Sequence, residues 1–282
     1  MEVLLAQAGV AREPMADAGV RFVRRVHPRG AEYFLVNRGA APVDGWVKLG
    51  TSARSALLLD PRSAERSGVA ALKAAGDVYL QLQPGESAVL RTFASDSAPG
   101  DPWPYVEAVG AAAPVDGPWH LAFVAGGPVL PAPSDLPALA SWTTLADAEA
   151  QRFAGTGRYT VRFERPTGDA FDWLLDLGRV AETARVTLNG RHLGTLFCRP
   201  FQLHVGDALR PGTNTLEIEV TSLAANRVRD LDRRGVPWKT FHDANVVDID
   251  YKPLDASAWP LRDSGLLGPV TLRRLRRIAS LP

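Results

Sequence analysis

From Thr215 to Val220 the chain reads Thr-Leu-Glu-Ile-Glu-Val, apolar and polar residues alternating one by one. That period of two is the mark of a strand with one buried face. Strands are also expected over 183–188 and 192–197, on either side of Asn189-Gly190. Asn-Gly tolerates positive φ at both positions, so these segments predict a type I′ hairpin. Further strands are expected at 157–163, 171–177, 202–205, 214–221 and 270–275, a set that fills a jelly-roll sandwich. Before them, 20–26, 31–37, 43–49, 55–59, 78–82 and 87–93 read as strands separated by turns such as Pro84-Gly85.

The fold class expected is therefore all-β, with two antiparallel β-sandwich domains. A lead-in covers 1–17, with a short helix end or plain coil at 4–10. The small sandwich covers 18–95 and the jelly roll 105–282. The small, Pro-bearing polar residues of 96–104 make the linker. Residues 145–153 carry the one helical pattern in the second domain. The stretch 222–265 loses periodicity and becomes rich in Arg, Asp, Asn and Trp, which predicts a long functional loop.

Composition narrows the function classes. The chain has 282 residues, 46% hydrophobic and 22% charged, with a net charge of +1. These are globular values, and the charge gives no reason to expect a nucleic-acid partner. No apolar run approaches the about 18 residues of a membrane span. The single cysteine, Cys198, excludes an internal disulfide and suits a small apolar core role. Motifs of zinc proteases, P-loop proteins and α/β-hydrolases are absent from the sequence.

Several stretches resemble a known family. LDLGRVAETARVTLNGRHLGT and LRPGTNTLEIEVTSL are similar to the sugar-binding, galactose-binding-like domain of family 2 glycoside hydrolases. DSGLLGPVTLRRL at 263–275, with YKPLDASAWPL ahead of it, resembles the C-terminal end of large bacterial α-L-rhamnosidases. GPWHLAF, SWTTL and FAGTGRYTVRFERP fit the start of the same domain, and VRFVRRVHPRGAEYFLVNRGAAPVDGWVKL fits a preceding small sandwich. The resemblance implies a non-catalytic C-terminal region. Its partners would be a catalytic barrel and a rhamnose-containing carbohydrate, in a parent enzyme that is exported. The family's catalytic glutamates lie in the barrel, so no catalytic residue carries over to this chain. Nothing here alternates eight strands with eight helices as a barrel requires.

The residues themselves leave three functions open: an accessory region bracing a barrel, a free-standing carbohydrate-binding module, and a small hydrolase. Sugars are held by aromatic platforms and planar polar side chains. Trp238 and Trp259, among Asn226, Arg227, His242, Asp243 and Asn245, have that composition, and the same tryptophans equally suit a plug for the end of a sandwich. Trp119, Trp142 and Trp173 are expected in the core, and Trp46 and Trp103 packed. Hydrolysis needs two carboxylates across a sugar ring; Asp243, Asp248, Asp250, Asp255 and Asp263 lie in the long loop. No cofactor is expected. A structural calcium ion is open, with Asp248 and Asp250 as oxygen donors. His192 and His204 are expected as exposed strand residues rather than zinc ligands.

Overall fold

The computed structural model describes residues 7–8, 12–63, 66–73, 76–240, 249 and 251–282. It divides into two compact units: residues 1–109 with 275–282, and residues 110–274. Nearly all regular structure is antiparallel strand, as the alternation predicts.

The first unit contains β1 (Val20–His27), β2 (Gly30–Asn37), β3 (Val43–Lys48), β4 (Ser55–Leu59), β5 (Ser67–Val69), β6 (Asp77–Leu82) and β7 (Ser87–Phe93). A five-stranded sheet in the order β1-β2-β7-β4-β5 and the β3-β6 pair enclose a core of Tyr33, Leu35, Val47, Leu58, Val78, Leu80 and Leu90. The segment 96–104, expected as a linker, runs alongside β5: Val69 N donates to Asp101 O at 2.7 Å and Trp103 N to Val69 O at 2.9 Å. The C-terminal residues belong to this unit as well. Ile278 N donates to Tyr105 O at 3.0 Å, and Trp46 Nε1 donates to Pro282 O at 2.5 Å. Trp46 also meets the edge of Tyr79, and the Arg66 guanidinium lies over Trp103.

The second unit holds β8 (Val106–Pro114) from residue 110 onward, β9 (Trp119–Gly127), β10 (Ser134–Leu136), α1 (Ala148–Gln151), β11 (Ala154–Glu164), β12 (Asp172–Asp176), β13 (Arg179–Ala181), β14 (Thr183–Leu188), β15 (Arg191–Leu196), β16 (Gln202–His204), β17 (Thr213–Thr221), α2 (Ala225–Arg233), β18 (Gly265–Gly268) and most of β19 (Thr271–Arg277). A six-stranded sheet runs β10-β9-β11-β17-β14-β15, and a four-stranded sheet runs β16-β12-β19-β8. Their inner faces share one core. The alternation of 215–220 maps onto this directly. Leu216, Ile218 and Val220 are fully buried, while outward Glu219 sits between Arg158 and Arg185 on the flanking strands, at 2.7 and 3.7 Å. The hairpin has the expected geometry, with Asn189 at φ 53° and Gly190 at φ 80° and Leu188 opposite Arg191.

Trp142 is fully buried and is the pivot of this core. Its ring meets Phe123 and Phe153 edge-on at 5.2 and 5.8 Å, and its Nε1–H donates to Tyr159 Oη at 2.6 Å. Trp119 and Trp173 are buried too. Within 145–153 the structure holds the single helical turn α1, preceded by a 3₁₀ turn at Trp142–Thr144. Where the sequence predicts a loop without regular structure, Ala225–Arg233 is helical. Its composition hides it: the helix is held by polar ties, with Asp230 facing Arg227 at 3.3 Å, Arg234 at 3.7 Å and Arg152 at 3.8 Å, rather than by an apolar stripe.

Candidate functional site

The long connection between β17 and β18 is organised by α2. Asn226 is buried; its amide donates to Arg262 O at 2.7 Å and Ser264 Oγ at 3.1 Å, and its carbonyl accepts from Arg262 N at 2.9 Å. Ser264 N in turn donates to Ser141 Oγ, and Trp142 N to Ser264 O. One asparagine thereby fixes where the returning chain enters the core. A buried amide with every polar atom occupied is a structural clamp.

Asp232 performs a similar task near the other end of the helix. Its carboxylate accepts from Trp238 Nε1 at 2.6 Å and Ala256 N at 2.8 Å, with Lys239 Nζ at 3.3 Å. Lys239 lies over the Trp238 ring and also donates to Leu254 O. Dehydration pushes the Asp232 carboxyl up, but the Ala256, Trp238 and Lys239 donors outweigh it and hold it below the usual carboxylate range. A carboxyl depressed in the folded state contributes stability above its unfolded value of about 4, and that stability is lost as pH falls through the folded value. Asp232→Asn is therefore expected to lower the thermal midpoint at pH 7 and to flatten its further fall between pH 5 and pH 2. A parallel acid limb in wild type and variant would contradict this.

The expected sugar-contacting residues are thus partly distributed. Trp238 is half-buried and tied through its indole N–H to Asp232; Trp259 is 37% exposed, and its carbonyl accepts from Arg229 Nε at 2.6 Å. Arg227 faces Asp230 and Asn226 is spent on the clamp. His242, Asp243, Asn245, Asp248 and Asp250 lie outside the described residues. Of the remaining loop carboxylates, Asp255 is exposed and caps the turn at Ser257, whose N–H bond holds it below the usual range, and Asp263 pairs with Arg179 at 2.6 Å. His192 is exposed, and His204 Nδ1 lies 2.6 Å from Asp172, whose carboxylate also accepts from Trp173 N and Gly206 N. Among the described residues no group of three or more His, Cys, Asp and Glu side chains is arranged to hold a metal ion, and no helix is long and apolar enough to cross a membrane.

A concavity of about 490 Å³ opens beside β13 and the chain following β15. Arg179, Arg199 and Arg262 line it, with Phe197, Glu182 and the half-buried Cys198. Sequence reading misses it because its arginines come from three separate segments and form no local pattern. The available signal is Phe197, a large aromatic just beyond the hairpin strand, 62% exposed.

No protein-family model matches the chain. Among solved structures, the rhamnosidase of Novosphingobium sp. PP1Y superposes with a TM-score of 0.69 at 31% identity, covering 96% of this chain and 26% of that one. This chain matches a region of a rhamnosidase-type glycoside hydrolase. The region accounts for about a quarter of that enzyme's length. In sequence, a protein of Formosa agariphila that carries a β-glucuronidase name is 32% identical over 159 residues, covering 49% of this chain and 13% of that protein. A family 2 β-galacturonidase of Eisenbergiella tayi aligns over 61% of this chain and 24% of its own at 17% identity, with a TM-score of 0.36.

Proposed function

We propose that the chain is the non-catalytic C-terminal accessory region of a rhamnosidase-like glycoside hydrolase. In this reading the small sandwich of 18–95 and the jelly roll of 105–282 brace a catalytic barrel belonging to the rest of an exported polypeptide. The observation that carries it is a row of apolar side chains on the outer face of the five-stranded sheet. Val23 on β1 pairs with Phe34 on β2, Phe34 with Val89 on β7, and Val89 with Leu59 on β4. Val23 is 65% exposed and Phe34 46%. Tyr33 and Leu35, the neighbours of Phe34, point the other way into the core. An apolar row crossing four strands, flanked by Arg21, Arg25 and Arg91, is what a docked domain covers.

Carbohydrate is the remaining proposed partner. In the proposed sugar-contacting set of Trp238, Trp259, Asn226, Arg227, His242 and Asp243, Trp259 is 37% exposed, while Asn226 bonds Arg262 and Arg227 faces Asp230. The role of the parent in cleaving a rhamnose-containing glycan belongs to this proposal.

The test uses this chain and a separately produced barrel from the rhamnosidase it matches. The chain alone should not turn over an aryl α-L-rhamnoside. It should associate with the barrel, and Val23→Asp combined with Phe34→Asp should weaken that association at least tenfold, about 1.4 kcal/mol, without lowering the chain's own melting temperature. Turnover by the chain alone that disappears on Asp255→Asn or Asp263→Asn would refute the reading.

A further inference from the structure

We infer that the concavity beside β13 is a binding site for a sugar bearing an oxyanion, either a uronate carboxylate or a sulfate ester. This stands apart from the docking reading, which concerns the other unit. The cavity's volume, about 490 Å³, suits a sugar residue. Its three arginines are not equivalent. Arg179 pairs with Asp263 at 2.6 Å, so the two contribute a polar wall of balanced charge. Arg262 is anchored only through its main chain, both polar groups of which bond Asn226. The guanidinium groups of Arg199 and Arg262 have no hydrogen-bonding or ionic partner among the described residues.

Two uncommitted guanidinium forks in one concavity match the geometry of a carboxylate or sulfate, which each fork can engage through two parallel N–H donors. Phe197 supplies what an ion alone does not need. An exposed aromatic ring at the rim matches the apolar face of a pyranose, and its stacking orients the ring while the arginines hold the charged substituent. Glu182, exposed on the same wall, is an acceptor for sugar hydroxyls, so the lining reads both features of an acidic sugar. Asn226 matters here indirectly, since its three bonds to the 262–264 segment set the position of the Arg262 backbone.

The experiment is isothermal titration of the full chain with tri-galacturonate, a sulfated κ-carrageenan tetrasaccharide and neutral cellotetraose. The expected result is binding of one or both acidic probes, weakening as salt is raised, and none of the neutral one. Arg199→Gln combined with Arg262→Gln should weaken it at least tenfold, and Phe197→Ala should do the same, while Arg162→Gln, an exposed arginine elsewhere on the second unit, should leave it unchanged. All these side chains are exposed, and unchanged melting temperatures will show that the variants fold. Binding of the galacturonate alone identifies a carboxylate site, of the carrageenan alone a sulfate-ester site, and of both a general oxyanion site. Absence of binding by either acidic probe, equal affinity for cellotetraose, or acidic binding indifferent to the arginine and phenylalanine changes would overturn the inference. Failure of the barrel-association test leaves every one of these outcomes readable.

Discussion

Trp142→Ala should destabilise the second unit by about 4 kcal/mol, the upper range for truncating a buried large aromatic. Three losses combine. The indole is fully buried, so its removal opens a cavity between the two sheets. Its edge contacts with Phe123 and Phe153 vanish, and these rings, 4.8 Å apart, lose the third member of their cluster. Tyr159 Oη loses the N–H at 2.6 Å and, among the described residues, keeps Leu266 N at 3.0 Å. Burial already pushes the Tyr159 hydroxyl up to about 12, so it stays a neutral phenol that gains nothing by ionising at working pH. The site has little room to collapse. A Cβ at Gly157 would lie 2.7 Å from the indole, and one at Gly265 would lie 2.4 Å from both Trp142 Nε1 and Tyr159 Oη. The strand backbones therefore pack directly on the ring, and neither glycine has a side chain to move into the void. Trp142→Phe retains aromatic area but loses the N–H, and should cost about 2 kcal/mol. Hydrogen exchange of β9 and β11 amides is the measurement, because it reports on this unit without assuming that the whole chain unfolds in one step. Protection unchanged within about 1 kcal/mol in the alanine variant would contradict the account.

The features legible beforehand were those written in short-range pattern. Leu216, Ile218 and Val220 announce their strand by alternation, and Asn189-Gly190 announces its turn by backbone chemistry. The core tryptophans sit beside such strands and follow from them. Long-range polar decisions were opaque. The helix Ala225–Arg233 depends on Asn226, an ordinary loop residue by composition, meeting Arg262 and Ser264 some 36 and 38 positions later. The β13–β18 pairing joins residues about 85 apart over three positions, too few to leave a periodic signature. The oxyanion groove is the same case, since Arg199 and Arg262 become neighbours of one cavity only through that pairing and the clamp beside it. Sequence composition did single out 222–265 as unusual. It could not separate residues that hold the connection in place, such as Asn226 and Asp232, from those such as Trp259 that stay partly exposed.

Glu13 shows how one such polar decision anchors the first unit, and Glu13→Ala is expected to cost about 3 kcal/mol there. The residue stands just before the 3₁₀ turn Pro14–Ala18, yet its side chain does not cap that turn. It turns inward, 4% exposed, and meets Arg24 Nη1 at 2.9 Å, Gly50 N at 2.5 Å and the Tyr33 hydroxyl at 3.4 Å. Burial is the main reason the Tyr33 phenol is pushed above its ordinary value, and the nearby carboxylate acts in the same direction. Replacement by alanine leaves the Gly50 N–H without its acceptor and the partly buried Arg24 cation without its counter-charge, a larger penalty than the intact pair's net worth. Arg24 is 29% exposed and water can reach it, which keeps the effect at the lower end for a broken buried pair. Glu13→Gln keeps an acceptor for Gly50 N and removes only the charge, so it should cost about half as much. Gly50 packs directly on this carboxylate: a Cβ there would sit 2.8 Å from Glu13 Oε2. The loss should appear as faster exchange of β2 and β3 amides, with β11 and β17 amides unaffected. Equal costs for alanine and glutamine would mean that the charge, and not the acceptor at Gly50, is the whole of the interaction.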